Sequence, residues 1–199
     1  NDKLPEAMEL EFEGFYPRGV FVTKKRYALI DVEGKLSIKG LETRRRDWAD
    51  IAKDTQERVL DAILRDNDPE KAADLVMKVI EDLKDGRVGM DDLIIHTQMT
   101  RKIGDYVSEG PHVIAAKRAL KRGMDFGEGS IVSYIVTSRR GDTIGEKAEV
   151  VDFVDDGDYD PDYYINNQVL PAVMRVLEAL GYSEDELKGL GKQMSLSDW

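Results

Sequence analysis

Phe21-Val-Thr-Lys-Lys-Arg-Tyr27 is the stretch from which the fold of this chain can be worked out. It lies in a longer run, residues 14–31, that is rich in β-branched and aromatic residues. The run opens after Pro17-Arg-Gly19 and closes at Asp31-Val-Glu-Gly34, a turn signal before another short strand. This pattern predicts the centre of an antiparallel β-meander.

The alternation of side chains predicts which residues of this strand share a face. If residues 20–30 form one strand, Lys25 and Tyr27 point the same way and lie about 6.6 Å apart. A cation beside a phenol on an ordered strand suits a phosphate, or the acceptor atoms that every base pair shows in its minor groove. The alternative is a solvated basic strand, because one face of an antiparallel sheet commonly meets water.

The flanking sequence predicts the rest of the meander, with strands at residues 9–16, 20–30 and 35–38. A three-stranded meander of this size has an exposed edge and an uncovered face, so we expect it to pack against another element. From Asp47 the apolar period changes to 3.6 residues, which predicts a helix with Asp47 as its N-cap. Asp68-Pro69 predicts the start of a second helix, which Asp85-Gly86 ends.

The second half of the chain is predicted to mix strands and helices. An apolar run at residues 93–98 is expected to be extended, and Gly110-Pro111 opens a third helix. Residues 130–137 and 147–151 are predicted to pair as a β-hairpin. A long helix, bent by Pro171, follows the acidic turn at residues 155–162. The predicted fold class is therefore α+β.

Composition limits the classes of function. The chain has 199 residues, a net charge of −11 and no cysteine, which excludes disulfides and thiolate metal sites. No segment resembles a signal peptide or a membrane span, so a cytoplasmic protein without a membrane partner is the expectation. Cations gather at residues 24–26, 44–46, 101–102, 117–122 and 139–140, whereas acids crowd 61–92, 152–162 and 184–186. A chain partitioned in this way can present a basic face to nucleic acid.

The acidic turn at residues 155–162 invites a calcium interpretation. Counted from Asp156, the sixth position is Pro161 where an EF-hand loop needs Gly, and the twelfth is Asn167 where it needs Glu. A solvated turn that caps the following helix is the better interpretation, and no metal site is predicted on this chain.

A second basic cluster, Thr43-Arg-Arg-Arg-Asp-Trp48, follows the meander. Together with Lys-Lys-Arg-Tyr27 it resembles the end of the palm domain in archaeal family B DNA polymerases. Four further stretches resemble the thumb of that family in the same order, at residues 48–53, 110–117, 132–136 and 163–173. The resemblance implies the C-terminal part of a palm at residues 1–47, built on the three-stranded meander. It also implies a mainly helical thumb with a small β-hairpin at residues 48–188 and a flexible tail at residues 189–199.

The tail ends in Gln193-Met-Ser-Leu-Ser-Asp-Trp199. Gln193, Leu196 and Trp199 resemble the sliding-clamp-binding motif often found at the end of these polymerases, although only one of its two usual aromatic residues is present. A peptide of this type binds as a short hydrophobic plug that orders on binding. The alternative is a disordered tail that has no partner.

The catalytic motifs of the family are absent from this sequence. It contains neither the Tyr-Gly-Asp-Thr-Asp nor the Ser-Leu-Tyr-Pro stretch that supplies the metal-binding aspartates, and two-metal phosphoryl chemistry requires those oxygens. We therefore expect this chain to be inactive alone and Mg²⁺ to bind in the assembled polymerase. Two explanations stay open. The chain is either the small subunit of a split polymerase, an arrangement that some methanogen polymerases resemble, or a fragment of a single chain.

The resemblance implies that the chain grips primer-template DNA while a larger catalytic chain does the chemistry. The implied DNA-binding residues are Lys24, Lys25, Arg26, Tyr27, Arg45, Arg46, Asp47, Thr100, Arg101, His112 and Lys117. Asp47 is expected to orient an arginine. For the Lys117–Arg122 segment, an ordinary solvated helix face is the alternative. A stand-alone non-catalytic DNA-binding module and a sliding-clamp adaptor are the rival functions.

Overall fold

A computed structural model describes residues 12–189 as two three-stranded antiparallel sheets and seven α-helices joined by short 3-10 and π-helical segments. The first sheet has the order β1-β2-β3, with β1 at Arg18–Thr23, β2 at Arg26–Ile30 and β3 at Leu36–Lys39. The second has the order β4-β5-β6, with β4 at Ile95–Gln98, β5 at Ile131–Val136 and β6 at Ala148–Val150. The predicted α+β class is confirmed.

The helices are α1 (Asp50–Asp61), α2 (Pro69–Lys84), α3 (Pro111–Lys121), α4 (Ile144–Lys147), α5 (Pro161–Tyr163), α6 (Leu170–Leu177) and α7 (Glu184–Leu187). A π-helical segment at Ala62–Asp66 continues α1, and another at Tyr164–Val169 joins α5 to α6. The second segment ends two residues before Pro171, whose missing N–H cannot continue a regular ladder. None of the helices within residues 12–189 has the length and apolar character needed to cross a bilayer.

The prediction of one strand over residues 20–30 is wrong, because a tight turn at Lys24–Lys25 divides it into β1 and β2. Lys25 adopts a left-handed φ of 65° there, so it does not share a strand face with Tyr27. The strand predicted at residues 9–16 is wrong for residues 12–16, which are irregular, and its first part lies outside the described residues. The third predicted strand is confirmed as β3.

The inner face of the meander packs against helices, as expected for a small three-stranded sheet with one face uncovered. Ala28 and Ile30 of β2 join Leu60, Leu64 and Val176 in one apolar cluster. This contact fixes the first sheet on α1 and α6.

The second sheet lies in the main core of the chain. The predicted hairpin is confirmed as β5 and β6, and the extended run at residues 93–98 supplies β4 as a third strand. Tyr164 is fully buried below it; its hydroxyl donates to Leu93 O (2.8 Å) and accepts from Val136 N (3.2 Å). One tyrosine thus ties the sheet to the helical layer.

The first residues of the helices can be compared with the capping residues predicted from the sequence. Asp68 caps α2 by accepting from Lys71 N at 2.9 Å, and Pro111 opens α3, so both predicted starts are confirmed. Asp47 is not the N-cap of α1, because the helix begins three residues later with Ala49 in that position. In the acidic turn, Asp160 caps α5 through Tyr163 N at 3.1 Å, as a helix-capping turn predicts.

Candidate nucleic-acid interface

Lys24 and Lys25, here called the basic turn, form the exposed tip of the β1–β2 hairpin. The backbone of the turn rests on Gly40, where an added Cβ would lie 2.1 Å from the carbonyl oxygen of Lys25. Gly40 itself has a φ of +67°. The close approach holds two adjacent cations in a fixed backbone position.

The outer face of the first sheet carries aromatic rings beside a cation. Tyr27 pairs across the strands with Phe21 on one side and Lys39 on the other. The Phe21 and Tyr27 ring centroids are 5.7 Å apart, and Phe21 is 73% exposed, so this face is uncovered. Lys39 was missed by sequence reasoning, since only the register of β3 places it beside Tyr27.

Arg26 points back into the protein instead of joining the basic turn. Its Nε donates to Gly40 O at 3.1 Å, and its guanidinium forms an ion pair with the buried carboxylate of Glu42. Of the three consecutive cations, Arg26 is the one that forms an ion pair within residues 12–189, which leaves Lys24 and Lys25 as the cations of the basic turn.

Arg45 and Asp47 form a bidentate pair on the segment before α1. Arg45 Nε and Nη2 donate to the two carboxylate oxygens of Asp47 at 3.0 and 2.6 Å. These hydrogen bonds hold the pKa of the Asp47 carboxyl below its ordinary value. Arg45 also lies over the Trp48 ring, 5.9 Å from its centroid. Asp47 thus fixes the direction of an exposed guanidinium, which remains able to donate from its other nitrogen.

A groove of about 400 Å³ lies beside this pair at β4, the outer strand of the second sheet. Its lining residues are Arg46, Asp47, His96, Thr97, Gln98 and Ile131. His96 N donates to Arg46 O at 3.3 Å, and His96 Nδ1 lies 2.8 Å from Ser133 Oγ. His96 and Gln98 were missed from sequence, where their strand gave no sign of meeting Arg46.

A third cluster forms around Tyr106, just before α3. The Tyr106 hydroxyl accepts from Thr100 N at 2.8 Å, and the Tyr106 ring meets His112 edge-on at 6.0 Å. Burial lowers the pKa of His112, which disfavours the imidazolium form. Tyr106 was also missed from sequence, although it brings two predicted residues together.

The two remaining predicted thumb cations differ in exposure and ion pairing. Arg101 is exposed next to Thr100, whereas Lys117 is ion-paired with Glu109. Lys117 therefore offers less free charge than its position in the sequence suggested. Gln193, Leu196 and Trp199 lie outside the described residues.

Short segments of chain limit the distances between neighbouring clusters. Gly40, which touches the basic turn, is at most about 18 Å from Arg45, and Gln98 in the groove is at most about 7 Å from Thr100. The arrangement is a series of exposed cations and hydrogen-bond donors, which suits a phosphate backbone. Within residues 12–189, no group of three or more His, Asp or Glu side chains is placed to hold a metal ion.

Comparisons with known proteins identify relatives of the whole chain. A sequence model of DNA polymerase family B matches residues 1–180. A DNA polymerase of Thermococcus kodakarensis is 51% identical over 202 residues, covering 100% of this chain and 12% of that protein. One from Methanocaldococcus jannaschii is 48% identical over 196 residues, covering 98% of this chain and 12% of that protein. This chain therefore spans about one eighth of these two relatives.

A solved structure shows the same fold. The family B DNA polymerase of the hyperthermophilic archaeon Pyrobaculum calidifontis aligns with a TM-score of 0.75 and 35% sequence identity. The alignment covers 87% of this chain and 23% of that polymerase chain. The two sheets and their helices therefore correspond to part of a larger molecule in that structure.

Proposed function

Since this chain belongs to DNA polymerase family B, as its motifs predicted, we propose that it is the small subunit of a split, two-chain polymerase. It grips the primer-template duplex during template-directed DNA synthesis, while a larger partner chain carries the catalytic aspartates. The observation that carries the proposed grip is the series of exposed cations from the basic turn to Arg101.

The basic turn and the segment before α1 have different parts in the proposed grip. Lys25, with Lys24, contacts the backbone and minor groove near the primer end, and Tyr27 lies beside them on the outer face. Arg45 and Arg46 hold backbone phosphates, with Asp47 orienting Arg45 through its two hydrogen bonds. This role needs no reacting group on the chain, because positioned cations and donors are sufficient to fix a duplex in register.

The domain division is also part of the proposal. We assign residues 1–47 to the end of the palm, residues 48–188 to the thumb and residues 189–199 to a tail that binds a sliding clamp. An apolar cluster under the first sheet, separate from the main core, lies between the two assigned domains. Leu60, Leu64 and Val176 complete that cluster, so the palm end is packed directly on thumb helices.

Metal chemistry is assigned to the partner chain. Within residues 12–189, no group of three or more His, Asp or Glu side chains is placed to hold a metal ion, and two-metal phosphoryl transfer needs such ligands. We place Mg²⁺ at the active site of the assembled polymerase and the assembly in the cytoplasm.

Salt dependence of duplex binding tests the grip. We expect the double variant Lys24→Gln/Lys25→Gln to bind primer-template more weakly and to reduce the slope of log K against log salt by about 2, because two phosphate contacts are lost. Fluorescence anisotropy of a labelled duplex across a salt series measures both quantities.

Lys78→Gln/Lys84→Gln on α2 is the matched control, since it changes the net charge equally outside the interface. The control should keep the wild-type slope. Equal slopes for the two double variants would show that the basic turn does not contact phosphates, and a chain that binds no duplex would contradict the grip altogether.

A further inference from the structure

Two buried polar side chains connect the basic turn to the helices. Glu42, in the 3-10 turn at Glu42–Arg44, is 4% exposed, and Gln56 on α1 is 1% exposed. A buried carboxylate and a buried amide are costly unless all their polar atoms have partners. Their partners therefore show what the two side chains hold in place.

Gln56 uses its whole amide group in this network. Its Nε2 donates to Glu42 Oε2 at 2.8 Å and also to the carbonyl oxygen of Ala172 in α6. Its Oε1 accepts from Thr43 N at 3.2 Å. One side chain on α1 thus fixes the 3-10 turn and α6 relative to each other.

Glu42 extends the network to the hairpin. Its second carboxylate oxygen pairs with Arg26, which directly follows the basic turn, and Arg26 Nε bonds to Gly40 O. Gly40 in turn supports the backbone of Lys25. A continuous series of contacts therefore runs from α6 through Gln56, Glu42 and Arg26 to the two lysines.

We propose that Glu42 and Gln56 are positioning residues for duplex binding, which act through the basic turn and do not touch the nucleic acid themselves. They hold Lys24 and Lys25 at a fixed place relative to the thumb helices, so that the turn and the second basic cluster meet one duplex together. Glu42 also neutralises Arg26, which limits the free charge of the turn to two lysines. This inference rests on the proposed function.

A double-mutant cycle tests the role of Gln56. Gln56→Met has a similar shape and leaves the Arg26–Glu42 pair in place, but it removes the bonds to the 3-10 turn and to α6. We expect it to weaken duplex binding about fivefold, which corresponds to roughly 1 kcal/mol. In the Lys24→Gln/Lys25→Gln background the same substitution should change the affinity less than about twofold, because the positioned charges are already gone.

Gln168→Met is the matched control. Gln168 is also a buried glutamine that bridges two segments, through Ala49 N at 2.9 Å and the Tyr163 hydroxyl at 3.1 Å, but it does not contact the hairpin network. Both glutamine variants should lower the melting temperature, whereas only Gln56→Met should show coupling to the lysines. If Gln56→Met does not fold, Gln56→Asn, which shortens the amide by one methylene, takes its place in the cycle.

The possible outcomes separate the two proposals. If the lysine variant loses affinity but Gln56→Met has the same effect in both backgrounds, or none, the positioning role is overturned and the grip stands. If the lysine variant binds as tightly as the wild-type chain, the grip and the positioning role are both overturned.

Discussion

Gly40→Ala is expected to displace the basic turn and to destabilise the chain by about 2–4 kcal/mol. A Cβ at this position would lie 2.1 Å from the carbonyl oxygen of Lys25, which is a backbone atom and cannot rotate away. The left-handed φ of +67° adds strain for any residue with a side chain. Relief requires the β1–β2 hairpin to move, so duplex affinity should fall together with stability. Urea unfolding and duplex anisotropy measure the two effects.

Gly86→Ala separates the backbone strain from the clash. Gly86 has a similar φ of +70°, but nothing lies within 4 Å of the position that a Cβ would take there. The control should lose only about 1–2 kcal/mol and keep the wild-type affinity for duplex. Equal losses of stability and affinity in the two variants would contradict the role of Gly40 as a support for the turn.

Arg139→Ala is expected to destabilise the second sheet by about 3 kcal/mol, because it leaves a buried carboxylate without its main counter-charge. Glu149 on β6 is fully buried, and Arg139 Nη2 lies 2.7 Å from its Oε2. Arg122 Nη1 is farther away, at 3.7 Å from Oε1, and its guanidinium also lies 4.6 Å from the centroid of the Phe153 ring. Arg122 can therefore replace only part of the lost attraction. Thermal and urea unfolding measure the change.

Arg140→Ala provides the matched control for this pair, since it removes an exposed arginine one residue away and should change stability by less than about 0.5 kcal/mol. In the Arg139→Ala background, Glu149→Ile should recover most of the lost stability, because it removes the buried charge and places a β-branched residue in a strand. A double variant no more stable than Arg139→Ala would show that the loss has another cause.

The hairpin shows where sequence reasoning fails. Lys24-Lys25 contains none of the residues that favour a positive φ, so residues 20–30 are indistinguishable from one strand in the sequence. The turn depends on tertiary contacts, namely the close approach of Gly40 and the pairing of Arg26 with Glu42. Contacts between residues so far apart along the chain leave no local signal in the sequence.

Helix boundaries were predictable where the signals are local. Asp68-Pro69 and Gly110-Pro111 place a capping or extended residue directly before proline, and α2 and α3 begin there. Asp47 is of a residue type that commonly caps helices, but its carboxylate binds Arg45 instead. A bidentate ion pair with a near neighbour competes with capping for the same oxygens.

The candidate site was predictable in its charges and less so in its other side chains. The basic runs at residues 24–26 and 44–46 are visible in the sequence, whereas Lys39, His96 and Tyr106 join the site only through strand register and loop packing. The pairing of Arg26 with Glu42 could not be predicted either, since the sequence does not show that Glu42 lies below the hairpin.

Primer extension decides whether catalysis and duplex binding are divided between two chains. The chain is incubated with primer-template, Mg²⁺ and nucleotides, alone and with a larger chain that co-purifies with it from its source. A split polymerase predicts no extension by this chain alone, and strong stimulation of the larger chain that is reduced by Lys24→Gln/Lys25→Gln. Extension by this chain alone would contradict the assignment of catalysis to a partner.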